Sequence, residues 1–191
     1  MNEMTQLRTH TCGQLTTADM GKQVSLCGWV YNIRDHGGVI FLDLRDQYGV
    51  TQIVISDDSI LSSISKETVI QVKGIVSKRD PETVNEKIAT GEIEITSAQI
   101  TVLGGVYHSL PFEIATSTET KEETRLKYRF LDLRNEKVHA NIVLRSQIIA
   151  YLREQMTSLG FLEIQTPILS ASSPEGARDF LVPSRKYKGQ F

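Results

Sequence analysis

Cysteines and long apolar runs are both scarce in this sequence of 191 residues. The only two cysteines, Cys12 and Cys27, have neither the spacing of a metal site nor the number needed for a disulfide framework. No apolar run approaches the roughly 18 residues that span a bilayer. The N-terminal stretch MNEMTQLRTH is polar and lacks the apolar core of a signal peptide. We therefore expect no metal site, no membrane partner and a reduced, cytoplasmic protein.

A surplus of positive charge is also lacking. Residues 1–110 carry 9 lysines and arginines against 13 aspartates and glutamates, a net charge of −4. Residues 111–191 carry 12 against 10, a net charge of +2. If the first half binds nucleic acid, it does so through a few placed side chains and not through a broad basic patch.

The first hundred residues consist largely of β-forming segments. Five strands are predicted, with a short helix over 57–68 between the third and the fourth, and the strand ranges are 23–34, 39–46, 51–56, 69–79 and 92–103. This order matches the OB-fold, a small Greek-key barrel, although other five-stranded arrangements fit the pattern too. Gly28 and Gly74 interrupt their strands, where a barrel needs bulges or sharp coiling.

One predicted strand, within GGVIFLDLRD (37–46), carries an unusual outward face. Ile40, Leu42 and Leu44 alternate and form an apolar face, which leaves Phe41 on the polar face beside Asp43. From the pattern alone, packing of this phenylalanine under a neighbouring loop is favoured. The alternative is an aromatic ring left open for a ligand.

The second half changes character. Residues 104–117 lack periodicity and predict a linker, and a helix follows, capped by Ser117 or Thr118. Residues 135–159 form the strongest helical pattern, with one apolar stripe and with Gly160 placed to end the helix. FLEIQTPIL then predicts a strand stopped by Pro167, and DFLVPS a second short strand. The final KGQF lacks a turn or cap, so we expect the chain to stop within an unfinished domain.

Several motifs resemble one family in the same order along the chain. SLGFLEIQTPIL (158–169), after a long helix, resembles motif 1 of the class II aminoacyl-tRNA synthetases. SSPEGARDFLVPSR (172–185) and RLKYRFLDLR (125–134) resemble segments of the bacterial-type aspartyl-tRNA synthetases. CGQL, CGWV and ATGEIE are similar to the anticodon-binding OB domain of that group. The related asparaginyl and lysyl enzymes share the layout but lack PEGARDFLVPSR.

The resemblance implies a fold and an activity. Residues 1–104 would form a five-stranded OB-fold anticodon-binding domain, 105–118 a linker, and 119–191 the N-terminal part of the class II antiparallel-sheet catalytic domain. The parent enzyme would be a homodimer that activates L-aspartate with ATP and Mg²⁺ and transfers it to tRNA(Asp). No catalytic residue is expected within 1–191, because the ATP-binding motifs should lie beyond Phe191. Residues 1–191 alone are therefore expected to be catalytically incomplete.

The same resemblance assigns roles to individual residues. Phe41 would stack on an anticodon base, and Arg34 and Gln52 would hydrogen-bond bases or phosphates. Asn85 would also approach the anticodon, with a plain turn residue as an equally good alternative. Glu175, in a mobile loop, would close over the ammonium group of L-aspartate. The motif 1 dimer interface would include Gly160, Phe161 and Pro167.

His36 and Glu82 bear on which tRNA is charged. In this family leucine is frequent at the position of His36 in enzymes strict for tRNA(Asp), and histidine occurs in enzymes that also charge tRNA(Asn). We therefore predict charging of both tRNAs, with Glu82 contributing from a second loop. Two alternatives remain: a free-standing OB-fold RNA-binding module without ligase activity, and an asparaginyl- or lysyl-tRNA synthetase.

Overall fold

The computed structural model describes residues 7–55, 58–168 and 180–189. The chain divides into two compact units, Met1–Ala140 and Asn141–Phe191. The first unit holds a β-barrel and the short helices that follow it. The second holds most of a long helix and the segments after it.

The structure contains five strands: β1 (Gln23–Asp35), β2 (Ile40–Arg45), β3 (Val50–Ile55), β4 (Val69–Lys78) and β5 (Ile93–Gly104). They close into a barrel in the spatial order β1-β2-β3-β5-β4. Neighbouring strands are antiparallel except β3 and β5, which meet in parallel at Ile53 and Ile95. This topology confirms the predicted OB-fold barrel.

The barrel interior is filled by aliphatic side chains from all five strands. Ile40, Leu42 and Leu44 of β2 are almost completely buried, as the alternation predicted. Each fully buried Leu or Ile stabilises the fold by about 1.5–3 kcal/mol. Further core residues are Leu15, Leu26, Val30, Ile53, Ile70, Val72, Val76, Ile93 and Ile95. Because inward residues alternate with outward ones, the same strands present a second, polar set of side chains on the barrel surface.

The two strand glycines behave differently. The pairing of β4 with β5 shifts register between Lys73 and Ile75, so Gly74 lies in the predicted bulge. At Gly28 the pairing stays regular. There a Cβ would lie 2.4 Å from the carbonyl oxygen of Arg45, so Gly28 permits a close approach of β2.

The segment between β3 and β4 contains a 3₁₀ helix, Asp58–Ser63, where an ordinary helix over 57–68 was expected. The hydroxyl groups of Ser62 and Ser63 donate to carbonyls three residues earlier, at 3.0 and 2.8 Å. Serine side chains compete in this way with the backbone bonds of a regular helix. Other 3₁₀ turns span Thr17–Asp19, Pro81–Thr83 and Ser117–Glu119.

Three α-helices follow the linker: α1 (Glu122–Lys127), α2 (Arg129–Asp132) and α3 (Glu136–Ser158). The predicted cap at Ser117 or Thr118 is wrong, because α1 begins after Lys121 and has no side-chain cap. The hydroxyl of Ser117 is buried and donates instead to Asp132 Oδ1 at 2.8 Å. Burial would raise the pKa of Asp132, but hydrogen bonds from Arg125 and Ser117 outweigh it and hold that pKa below its usual range.

The predicted long helix is confirmed as α3. Its first turn is capped by Asn135, whose Oδ1 accepts from the amides of Lys137 and Val138 at 3.0 and 3.3 Å. The Nδ2 of Asn135 also donates to the linker carbonyls of Ile114 and Ala115, at 2.8 and 3.0 Å. At the other end, Gly160 has φ +88° and ends the helix as expected.

The linker packs on the short helices. Phe112 and Ile114 form a small apolar cluster with Leu131 of α2, and Leu110 and Tyr128 lie against it. The linker is therefore packed against the short helices that follow it.

In the second unit, neither predicted strand is present. Residues 161–167 and 180–184 are neither helical nor strand. A strand requires a neighbour for its backbone hydrogen bonds, and among the described residues no strand pairs with either segment. In the described parts of the chain, no helix is long and apolar enough to cross a membrane.

Candidate nucleic-acid interface

The outward faces of three neighbouring strands bring polar side chains together around Phe41. Strand pairing sets Arg34 of β1 opposite Phe41 of β2, and Asp43 of β2 opposite Gln52 of β3. Since cross-strand neighbours on one face lie within contact distance, these side chains form one surface. With Glu94 of β5 they are called here the barrel-face cluster.

Hydrogen bonds connect the cluster across four strands. Arg34 Nη2 donates to Asp43 Oδ1 at 2.8 Å and to Gln52 Oε1 at 3.3 Å. Gln52 Nε2 donates to Glu94 Oε2 at 2.9 Å. The amide of Gln52 is thus oriented from both sides. Its oxygen and nitrogen each have one further hydrogen-bonding position, and 6% of the residue is exposed. A donor and an acceptor side by side match the edge of a nucleic-acid base.

The charges of the cluster are largely compensated. Burial raises the pKa of Asp43, although the cations Arg34 and Arg79 act in the opposite direction. The Arg34 side chain is 43% exposed, so part of its guanidinium faces solvent and can donate to a ligand. The surface is suited to placed contacts and not to a general attraction for phosphates.

Arg79 lies behind this face and is only 4% exposed. Its Nε donates to the carbonyl of Ile93 at 2.9 Å, while its buried Nη2 has no hydrogen-bond partner among the residues that the structure describes. Burial lowers its pKa, whereas the carboxylates of Glu94 and Asp43 raise it. Arg79 was not predicted as part of this site, because its burial depends on the loop that follows β4. Glu94 was not predicted either, although the alternation with Ile93 and Ile95 did place that side chain on the outward face.

The Phe41 ring is half-buried and meets one other ring. The imidazole of His36 lies edge-on to it, with ring centroids 5.6 Å apart and an interplanar angle of 76°. His36 itself is exposed, in the turn between β1 and β2. The structure thus brings Phe41, Arg34, Gln52 and His36 together on one face of the barrel.

Asn85 and Glu82 lie in the loop over 79–92. The backbone amide of Asn85 donates to the carbonyl of Gly91 at 3.1 Å, and its Oδ1 accepts from the amide of Lys87 at 3.1 Å. A Cβ on Gly91 would lie 1.8 Å from the carbonyl oxygen of Asn85, so the loop closes only with glycine there. Glu82 is exposed in the 3₁₀ turn. Within the described residues, no hydrogen bond or ring contact joins Asn85 or Glu82 directly to Phe41.

The remaining predicted residues lie in the second unit. Phe161 is 60% exposed, and Pro167 is exposed as well. Gly160 is the helix terminator described above. Glu175 lies outside the described residues. In the ranges that the structure describes, no group of three or more His, Cys, Asp or Glu side chains could hold a metal ion.

Two family models match successive parts of the chain. Residues 24–103 match the OB-fold nucleic acid binding domain, a range that contains β1–β5 apart from the terminal residues Gln23 and Gly104. Residues 121–191 match the class II tRNA synthetases of the D, K and N group. The barrel-face cluster lies entirely in the first of these ranges.

Individual relatives agree with the family models. The chain is 52% identical, over 98% of its length, to the aspartate–tRNA(Asp/Asn) ligase of Paracoccus denitrificans, of which it covers 32%. It resembles the crystal structure of asparaginyl-tRNA synthetase from Pyrococcus horikoshii, with 27% identity, a TM-score of 0.73, and coverage of 87% of this chain and 38% of that one. It also resembles the aspartyl-tRNA synthetase of Entamoeba histolytica, with 26% identity, a TM-score of 0.76, and coverage of 90% and 42%.

The chain spans about a third of the length of the curated relatives it matches. Its barrel has the strand order of an OB-fold, and both family models match in the order found in synthetases. The chain therefore belongs to the class II tRNA synthetases of the D, K and N group, and it comprises the OB-fold domain and the start of the catalytic domain.

Proposed function

We propose that this chain is the tRNA-recognising part of a ligase that joins L-aspartate to tRNA(Asp) and to tRNA(Asn). Residues 1–104 would bind the anticodon, residues 105–118 would form the linker between the two domains, and residues 119–191 would form the start of the catalytic domain. In support, relatives more than 50% identical over nearly the whole chain are named aspartate–tRNA(Asp/Asn) ligases. The protein would act in the cytoplasm.

The reaction has two steps. The α-carboxylate of L-aspartate attacks the α-phosphorus of ATP, which forms aspartyl-adenylate and releases pyrophosphate. A hydroxyl of the terminal ribose of the tRNA then attacks the aspartyl carbonyl, and AMP leaves. Mg²⁺ would accompany ATP. Since the described residues offer no cluster for a metal, we derive no step through it from this chain.

One observation supports RNA binding most strongly, and it is the surroundings of Phe41. A half-buried aromatic ring lies on the barrel surface next to a partly exposed arginine and an oriented amide. An aromatic platform with neighbouring donors is how OB-folds bind unpaired bases. In this proposal Phe41 stacks on an anticodon base, and Arg34 and Gln52 bind base edges or phosphates. Asn85 would approach from its loop.

His36 supports the proposed relaxed choice of tRNA. Its ring lies edge-on to Phe41, so in this proposal it would neighbour the base that stacks there. The anticodons of tRNA(Asp) and tRNA(Asn) differ at one letter, so one side chain beside the stack can alter the preference. Glu82, exposed in the second loop, would contribute.

The proposal extends to the second unit. Glu175 would close over the ammonium group of L-aspartate. Gly160, Phe161 and Pro167 would belong to a homodimer interface, which is consistent with the exposed phenylalanine ring. Burial of such apolar surface against a twin subunit is the usual driving force for dimers.

The decisive experiment measures the activity of the protein extended beyond residue 191 into the catalytic region of its relatives. Aspartate-dependent exchange of pyrophosphate into ATP, together with charging of both transcripts, tRNA(Asp) and tRNA(Asn), is the expected result. Exchange that depends on asparagine or lysine would contradict the proposal. Charging of tRNA(Asp) alone would contradict the relaxed specificity. Residues 1–191 alone should bind an anticodon stem-loop but catalyse no exchange.

A further inference from the structure

A buried carboxylate joins the barrel to the segment that leads into α3. Glu67 is 5% exposed, and its Oε1 accepts from Arg45 Nη2 of β2 at 2.7 Å. Its Oε2 accepts from Nη1 of Arg134, which lies between α2 and α3, also at 2.7 Å. These three residues are called here the Glu67 clamp. They connect positions 67 residues apart in the sequence.

Aromatic rings complete the clamp. The Arg134 guanidinium carbon lies 4.6 Å from the centroid of the Trp29 ring, and that of Arg45 lies 5.0 Å from the Tyr31 ring. Arg45 Nη1 also donates to the Arg134 carbonyl at 3.2 Å. Two cations around one carboxylate leave a positive charge in excess, and the π faces of Trp29 and Tyr31 stabilise it. Both oxygens of the Glu67 carboxylate thus accept a hydrogen bond, and each guanidinium lies over an aromatic ring.

The backbone at Glu67 is unusual. Its φ is 68°, in the left-handed region that favours glycine or asparagine. A turn at this position would be easier to form without a glutamate side chain. Strain of this kind is found where a side chain is needed for another purpose, and here the carboxylate reaches two arginines.

The contact between barrel and linker leaves an open pocket. This pocket, of about 180 Å³, lies between Tyr31 and Asn32 of the barrel and Leu110 and Ile114 of the linker. The ion pair of Lys66 with Glu113 joins the barrel to the linker and is exposed to solvent. An exposed pair contributes little, whereas a buried, doubly paired carboxylate fixes an orientation.

The clamp shares a strand face with the candidate RNA-binding surface. Phe41, Asp43 and Arg45 are alternate residues of β2 and point to the same side. Phe41, the proposed base platform, lies at one end of this row. Arg45, the cation that binds Glu67, lies at the other end. Strand β2 and the Glu67 carboxylate thus connect the base platform to Arg134, which lies two residues before α3 begins.

We propose that the Glu67 clamp is a positioning device, which holds the base-binding face of the barrel in a fixed relation to the residues that enter α3. A tRNA bound at the barrel would thereby be held in register for charging. This inference rests on the proposed function. Glu67, Arg45 and Arg134 are positioning residues, since none of them needs to touch the reacting atoms.

The test compares Glu67→Gln with wild type in the protein extended into its catalytic region. Glutamine keeps the side-chain length but removes the charge and one acceptor. We expect kcat/KM for complete tRNA(Asp) to fall about tenfold or more, because small misplacements are costly in catalysis. Charging of an acceptor-stem minihelix and pyrophosphate exchange should stay within about twofold, since neither depends on the barrel.

Two control variants sharpen the result. Glu113→Gln removes the exposed ion pair between barrel and linker and should change none of the three rates. Glu67→Gly relieves the left-handed backbone but deletes the carboxylate, so it should be as defective as Glu67→Gln on complete tRNA. A Glu67→Gly variant equal to wild type would reduce Glu67 to a turn residue and overturn the inference. An equal loss on tRNA and minihelix would overturn it as well.

A second measurement does not depend on catalysis. In Glu67→Gln, amide hydrogen exchange over 129–138 should be faster than in wild type, whereas exchange in β2 and β3 should be unchanged. Unchanged exchange over 129–138 overturns the clamp. If the wild-type protein charges no tRNA at all, the proposed function fails, and this exchange experiment still decides whether Glu67 holds the segment.

Discussion

At the scale of single residues, Phe41 carries the largest expected effect on RNA affinity. We expect Phe41→Ala to weaken binding of an anticodon stem-loop by about 1–3 kcal/mol, the usual value of one base stacked on an aromatic ring. Fluorescence anisotropy with labelled stem-loop measures this. Phe41→Tyr keeps an aromatic face and should bind nearly as wild type.

Val54→Ala provides the matched control for that experiment. Val54 is the cross-strand partner of Phe41 on β3 and is half-buried as well. Its truncation removes two methyl groups on the same face without removing a π surface, so RNA affinity should be preserved. An equal loss in both variants would indicate a packing role for Phe41.

Single positions were predictable where they depended on one strand. The alternation around Phe41 placed it on the outward face, and the structure bears this out. The bonds of Asp43 to Arg34 and of Gln52 to Glu94 depend on strand pairing, which the sequence does not contain explicitly. Arg79 depends further on a loop that folds over it. Its burial was therefore out of reach of pattern analysis.

At the scale of elements, the loop over 79–92 depends on Gly91. We expect Gly91→Ala to destabilise the protein by about 1–3 kcal/mol, the usual cost of forcing an extra methyl group into a packed site, because Cβ would collide with the Asn85 carbonyl. Chemical denaturation measures the change. Gly104→Ala is the control, since its Cβ would meet Val69 at an ordinary 3.7 Å. Equal stability of the Gly91 variant and wild type would contradict the close approach.

Elements were predicted well where local signals were strong. The periodicity of α3, its terminal Gly160 and the alternation in the barrel strands all identified elements that the structure contains. Among the described residues after Gly160, neither predicted strand is formed, since a strand depends on a partner and the pattern around Pro167 does not indicate one. The predicted helix cap failed because Ser117 found a stronger acceptor in Asp132.

At the scale of the whole molecule, charge limits how RNA can be held. The chain carries a net charge of −2, and in the barrel-face cluster the single arginine, Arg34, is paired with the carboxylate of Asp43. We expect a shallow salt dependence for stem-loop binding, with a slope of log K against log salt of about −1 to −2, which corresponds to two or three phosphate contacts. Titrations between 50 and 200 mM KCl (about the range used for such slopes) measure it. A slope of about −5 or steeper would contradict this expectation, because it would require a broad basic surface.

The order of the domains could be predicted from the sequence, because motifs that resemble one synthetase family follow one another along the chain in that order. The Glu67 clamp, which joins the barrel to the segment before α3, could not be predicted. Nothing in the sequence near Glu67, Arg45 or Arg134 indicates that the three side chains meet. The linker sequence lacks periodicity, so it does not predict the contacts of the linker with the short helices.

Asn135 has a consequence for how the first unit moves. One amide group both starts α3 and grips the backbone of the linker at Ile114 and Ala115. The stretch after the barrel is accordingly not a loose tether, because an Asn135 side chain that turns away from the linker also leaves the first turn of α3 without its cap. Motion of the chain where it leaves the barrel is therefore coupled to the start of the long helix.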